Sequence, residues 1–163
     1  MRASKKEFEQ KLKEFLVEAK TKAYASGVKY NTTAANLCEF ECTNGDLKFK
    51  DTYFGHYDFG GIEIVWHKNE PIWAMNYFGA TNKKFLKNEE LIEECYALLR
   101  KALEQVAQEK PFRGPKKLSQ GEWVYENKTT GKIGRFSGKE KILYKGKEIY
   151  SLKYFGGNSR GKE

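Results

Sequence analysis

The sequence repeats itself, and that constrains its fold more than any other feature. Gly61 to Gly79 (GIEIVWHKNEPIWAMNYFG) aligns without a gap on Gly138 to Gly156 (GKEKILYKGKEIYSLKYFG), with seven identities that end in a shared Tyr-Phe-Gly. The offset is 77 residues; it also sets Phe59 on Phe136 and carries the first of two amphipathic helices onto the start of the second. Hairpins do use similar residues, yet seven ungapped identities in one window point to a duplicated unit. Two equivalent units are expected to join around a pseudo-two-fold axis, with a groove along the seam.

The helices are read from periodicity and caps. Ser4 followed by Glu7 is a capping-box pair, and Phe8, Leu12, Phe15, Leu16, Ala19 and Ala23 share one helical face up to a stop at Gly27. A second helix starts near Asn88 and ends by Pro111. It carries Leu91, Ile92, Cys95, Leu98, Leu99, Ala102 and Val106 on its apolar face and Glu89, Glu90, Glu93 and Glu94 near its positive end. Elsewhere the period falls to two, which predicts strands at 37–42, 47–54, 62–67, 72–78, 122–127, 132–136, 140–144 and 148–154. Asn44-Gly45, Lys68-Asn69 and Lys145-Gly146 read as hairpin turns.

The expected fold is therefore α+β: two α-β4 repeats with pseudo-two-fold symmetry, a largely antiparallel sheet and helices packed on one face. The repeats are residues 4–80 and 84–157 of a single domain spanning 1–163, with a flexible tail at 158–163. A two-residue turn at Lys68-Asn69 sets Val65 opposite Ile72 and Glu63 opposite Ala74. Ile62, Ile64, Trp66, Trp73, Met75 and Tyr77 then pack the helices, echoed by Leu143, Tyr150, Leu152 and Tyr154. Glu63, Val65, Ile72, Ala74 and Asn76 line the other face, echoed by Glu140, Ile142, Ile149, Ser151 and Lys153.

Thirty Lys and Arg against 22 Asp and Glu give a net charge of +8, but the charge is unevenly placed. Residues 110–163 hold 14 basic and 5 acidic side chains, whereas residues 1–109 hold 16 and 17. Such a basic region suits a polyanion or an acidic protein, and equally a solvated strand face. No apolar run approaches a bilayer-spanning length and the N-terminus lacks an apolar leader segment, so neither secretion nor membrane insertion is expected and the protein is placed in the cytoplasm. Three cysteines fit reduced thiols in that compartment.

Chemistry-bearing motifs are few. No P-loop, GxGxxG or GxSxG occurs, His56 and His67 stand in no zinc spacing, and Cys38 and Cys42 form a C-x3-C pair without a second pair, so no metal or cofactor is expected. No catalytic residue is assigned, although Asp51, Asp58, Glu63 and His67 lie within one four-strand segment. Glu63, beside Val65 and Ile72, reads either as an anchor for a cation or hydroxyl or as an exposed sheet residue paired with a base. Arg113, in Pro111-Phe112-Arg113-Gly114-Pro115, is held by two prolines and suits an anion or a structural carboxylate. Asn76 is a hydrogen-bonding candidate, with Tyr53 and Trp66 as aromatic walls.

FLVEAKTKAYASG from Phe15, DTYFG, the FGG-E-VW run around Glu63, PIWAMNYFG, PFRGP and the closing YFGG together resemble an uncharacterised bacterial domain of unknown function, from about Phe15 to Gly157. That domain occurs alone or behind helix-turn-helix domains in transcriptional regulators. The resemblance brings no catalytic residue or ligand, and implies a sensing or effector-binding role by analogy. Phe8 to Ala23 is a lone helix without a second one after a short turn, so this chain departs from the DNA-reading module.

The leading expectation is non-catalytic binding or sensing of a small molecule or nucleotide-like ligand in a sheet-lined groove, through Glu63, Asn76, Arg113, Tyr53 and Trp66. The alternatives are a polyanion- or protein-binding module of nucleic-acid, host-defence or phage kind, using Lys128, Lys132, Arg135, Lys139 and Lys141, and an enzyme with a carboxylate acid/base.

Overall fold

A computed structural model describes residues 4–24 and 28–161. Helix α1 (Lys5–Tyr24) opens on the capping box, with the Glu7 N–H donating to Ser4 Oγ and the Ser4 N–H donating to Glu7 Oε2. Gly27, expected to stop this helix, lies outside the described residues, as do the last two residues of the expected tail. Five strands follow: β1 (Asn31–Thr32), β2 (Cys38–Asn44), β3 (Leu47–Gly55), β4 (Asp58–His67) and β5 (Glu70–Thr81). After a 3-10 turn at Lys83–Phe85 come α2 (Glu89–Leu103), capped by the Asn88 side chain, and β6 (Lys117–Gln120), β7 (Trp123–Lys132), β8 (Arg135–Tyr144) and β9 (Lys147–Asn158).

The nine strands form one antiparallel sheet in the order β1-β2-β3-β4-β5-β9-β8-β7-β6, so two meanders meet at the β5–β9 pair. At that seam Tyr77 pairs with Tyr154, Trp73 with Asn158 and Thr81 with Tyr150. Strands β4 and β8 are both ten residues long and β5 and β9 both twelve, each pair starting 77 residues apart. Both helices lie on the same face of the sheet. Leu12, Phe15, Leu16 and Ala19 of α1 and Leu98, Leu99 and Ala102 of α2 share one core with Phe49, Trp73, Met75, Tyr125, Tyr150 and Leu152. Each such large side chain taken fully from water contributes roughly 1.5–3 kcal/mol.

The face assignment expected for β4 is reversed, whereas Trp73, Met75 and Tyr77 of β5 face the helices as expected. Val65 pairs with Trp73 and Glu63 with Met75, because Ile72 is an extra residue, a β-bulge, between that register and the Trp66–Pro71 pair nearer the turn. One inserted residue shifts the pairing by one position, and a shift of one exchanges faces. Glu63 and Val65 therefore lie under the helices with Trp73, Met75 and Tyr77, while Ile62, Ile64 and Trp66 turn to the open face. The same happens between β8 and β9, where Ile149 is the extra residue and Glu140 goes under the helices.

Three smaller expectations also change. The strand expected at 132–136 is instead the reversal between β7 and β8, made possible by Gly131 at φ 88°, against which the Arg135 carbonyl packs. Its apolar Ile133 is buried, and its carbonyl accepts from Trp73 Nε1 at 3.1 Å. The β2–β3 turn is Gly45-Asp46 rather than Asn44-Gly45. Strands β1 and β6 went unexpected because Asn-Thr and Lys-Leu-Ser-Gln carry no alternation to detect.

Tyr77 and Tyr154 each lie across a glycine of the neighbouring strand, Gly61 and Gly138, where a methyl group would overlap the phenol ring. Gly61→Ala and Gly138→Ala are each expected to destabilise the fold by roughly 1–3 kcal/mol, read as a lowered urea midpoint with an unchanged slope.

Candidate functional site

The face beneath the helices holds charges as well as hydrocarbon. Lys20, Asp51, Glu63, Arg113 and Glu140 are all buried there. Lys20 occupies a position four residues after Leu16 and one after Ala19, on the apolar stripe of α1, so the helix carries an ammonium group into the core. Its Nζ lies 2.7 Å from Glu63 Oε2 and donates to the Phe112 carbonyl at 2.6 Å, with the Trp73 ring 5.5 Å away. The Nζ lies off the hydrogen-bonding direction of Oε2, so the pair is held by charge more than by a directed bond. Burial pushes the lysine pKa down and the Glu63 carboxylate opposes the shift.

Glu140 is held more completely. Arg113 donates to both of its oxygens, through Nε at 3.2 Å and Nη2 at 2.5 Å. Tyr125 donates to Oε2 at 2.6 Å and Tyr150 to Oε1 at 2.9 Å. Around Glu63 the only hydroxyl donor among the described residues is Tyr24, at 3.3 Å, and the ring positions nearby are filled by Phe49 and Trp73.

Asp51, on β3, is the cross-strand neighbour of Glu63. It is 4% exposed, and among the described residues no buried cation pairs with it directly. Tyr77 donates to Oδ1 at 2.7 Å and Tyr30 to Oδ2 at 3.2 Å. Burial, with the Glu63 charge next to it, pushes the Asp51 carboxyl up to about 7. On β7 the comparable bond runs from the Tyr154 hydroxyl to Asn127, at 2.8 Å, so an uncharged amide accepts where Asp51 does on β3.

A cavity of about 730 Å³ opens above Asp51, between α1, α2 and the sheet. Tyr24, Tyr30, Tyr53, Tyr77 and Phe59 form its aromatic walls, Leu99 and Leu103 of α2 its apolar side, and Arg113 part of its floor. A second cavity of about 630 Å³ adjoins it, sharing Tyr53, Phe59, Leu99 and Arg100. Burial raises the Tyr24, Tyr30 and Tyr77 phenols well above their ordinary range, so they act as neutral hydrogen-bonding groups. The arrangement can accept hydrogen bonds or a positive charge at Asp51 and stack a flat or aliphatic group on tyrosine rings.

The structure divides the five residues expected to bind ligand. Glu63, Tyr53 and Arg113 lie on the helix-covered side, with Tyr53 and Arg113 lining the cavity and Arg113 engaged by Glu140. Asn76 and Trp66 lie on the opposite face, because the Ile72 bulge sets Asn76 beside Ile62 and leaves Trp66 outward. Cys95 is buried, and burial pushes its thiol up to about 12, which disfavours a thiolate. Among the described residues no group of three or more His, Cys, Asp and Glu is placed to hold a metal ion, and no helix is long and apolar enough to cross a membrane. Sequence reasoning missed Lys20, Tyr24 and Tyr30 as site residues. Lys20 had a signal: a lysine on the stripe that continues Leu12 and Leu16 requires a buried carboxylate.

Lys20→Met should destabilise the protein by about 3–5 kcal/mol by leaving Glu63 buried and unpaired. The double variant Lys20→Met/Glu63→Gln should recover most of that loss in urea unfolding, a coupling that independent sites would not show. Asp51 holds its proton more tightly folded than unfolded. The stability this contributes is full below about pH 4 and is lost as pH rises through about 7. Wild type should therefore lose roughly 4 kcal/mol relative to Asp51→Asn across that window, measured as paired melting curves.

No curated protein and no solved structure matches the chain. A family model does, over residues 51–158, from Asp51 through Asn158, the last residue of β9. The matched segment contains Asp51, Glu63, Tyr77, Arg113 and Glu140 and leaves out α1. The chain belongs to DUF5680, a family described as a domain of unknown function.

Proposed function

We propose that this protein binds a small organic molecule in the tyrosine-walled cavity, and that Asp51 receives an amine or hydroxyl of that ligand. One observation carries the reading. Of the three buried carboxylates among the described residues, Glu63 and Glu140 each pair with a buried cation, and Asp51, at the floor of the cavity, pairs directly with none of the described ones. An aromatic enclosure around such a carboxylate suits a cationic or donor-rich head group.

A duplicated α-β4 unit underlies this site, in one domain formed by the two repeats. Its support is the set of strand ranges offset by 77, the matched bulges at Ile72 and Ile149, and the self-consistent pairing around Tyr77 and Tyr154. In this reading the two units have diverged. The second closed its carboxylate site with Arg113, Tyr125 and Tyr150 and replaced the aspartate by Asn127, while the first kept Asp51 and the cavity.

Native mass spectrometry of freshly purified protein tests the proposal. Wild type should carry an added small-molecule mass, and Asp51→Asn should lose it while folding normally, since an amide already serves at Asn127. A wild type with no added mass, whose melting temperature no member of a panel of amines and polyols shifts, overturns the reading.

A further inference from the structure

The face of the sheet away from the helices is uncovered. Its centre carries two large exposed aromatics, Phe78 on β5, 55% exposed, and Phe155 on β9, 60% exposed. The register places them diagonally across the seam: Phe78 is directly opposite Lys153, and Phe155 is two residues further along β9. Two phenyl rings, each more than half exposed and close together on paired strands, mark a surface for something else to cover.

The charge beside these rings is of one sign. Lys153, Lys139 and Lys128 lie in one cross-strand row on β9, β8 and β7, and Phe78 continues that row on β5. With strands about 4.8 Å apart the three ammonium groups follow a line of roughly 10 Å. Arg135 and Lys132 form a second basic pair on the same face at the far end of β8 and β7. Between the two rows lie Phe155, Ser137 and Thr130, which offer a ring and hydroxyls. The nearest acids are Glu126, whose charge is met by Lys141 at 3.2 Å, and Glu148 toward the other end of the strands. All five basic residues singled out in the sequence lie on this face, and the first half of the sheet presents Thr52, Ile62 and Asn76 there instead.

We infer that this open face binds single-stranded nucleic acid, with bases stacked on Phe78 and Phe155 and the phosphate backbone running along Lys153, Lys139 and Lys128. Exposed rings on an open sheet face with a basic track beside them satisfy both requirements of strand binding. Every base has a π-face to stack, and every linkage has a phosphate to neutralise. A duplex hides its bases and would use the lysines alone, so the two rings favour an unpaired strand. This surface is on the opposite side of the sheet from the Asp51 cavity and does not depend on the ligand proposed there.

Fluorescence anisotropy of the full chain tests this, with labelled twelve-nucleotide single strands of RNA and DNA and a duplex of the same sequence. Wild type should bind a single strand at least tenfold more tightly than the duplex, with log K falling against log salt at a slope of roughly −2 to −3 for three or four phosphates. Phe78→Ala/Phe155→Ala should lose at least tenfold, with its melting temperature close to wild type because both rings are exposed. Lys128→Glu/Lys139→Glu, which leaves both rings in place, should abolish binding. No binding at 50 mM salt overturns the inference, as does equal affinity for duplex and single strand. A phenylalanine pair whose loss leaves affinity unchanged also overturns it. A wild-type dimer that the phenylalanine variant converts to monomer assigns the face to a second copy of the chain and likewise overturns it.

Discussion

The structure is organised around charge placed where charge is expensive. Lys20 meets Glu63 and Arg113 meets Glu140 beneath the two helices, where all four side chains are buried. A buried ion pair adds little net stability, but leaving one of its members alone costs about 3–5 kcal/mol, a large share of the 5–15 kcal/mol that holds a domain together. Each glutamate therefore specifies where its cation must be. Glu63 on β4 sets how α1 crosses the sheet, because a shifted α1 would strand both charges. Glu140 on β8 fixes the loop after α2, where Arg113 also lies over the Tyr77 ring at 5.6 Å.

Those two constraints leave Asp51 as the odd charge. It is next to Glu63 and hydrogen-bonded by two tyrosines, and the cavity above it is the space that α1, α2 and the sheet leave unfilled. The contrast with Asn127 is instructive because the same tyrosine contact is made there without any charge. In the proposed duplication, the second copy became a satisfied structural unit and the first kept a titratable group facing open space. A scaffold that repeats can assign rigidity to one copy and recognition to the other.

Much of the fold was legible in local pattern. The capping box at Ser4 and Glu7, the stripe from Leu12 to Ala23, the Asn88 cap and the turns at Lys68-Asn69 and Lys145-Gly146 depend on neighbours in the chain, and they appear where the residues indicate. The site was less legible. One extra residue at Ile72 reversed the faces of β4 against β5, moving Glu63 from the open side into the core and Trp66 out to the open side, where Asn76 stays. Nothing local announces that bulge, since Ile72 reads as an ordinary strand residue. Tyr24, Tyr30 and Asp51 come from three elements, and no spacing in the chain links them.

The sequence by itself determined both helices, the longer strands with most of their hairpin turns, the repeated Tyr-Phe-Gly segment and the uneven charge, because each depends on periodicity or composition along the chain. Tertiary structure alone decided which face each strand buries, which cation answers which glutamate, and that Asp51 answers to none. The physical reason is that faces and ion pairs are set by register between strands and by helices packing across them. A single inserted residue, with the cost of a buried charge left unpaired, settles those choices at distances of tens of residues.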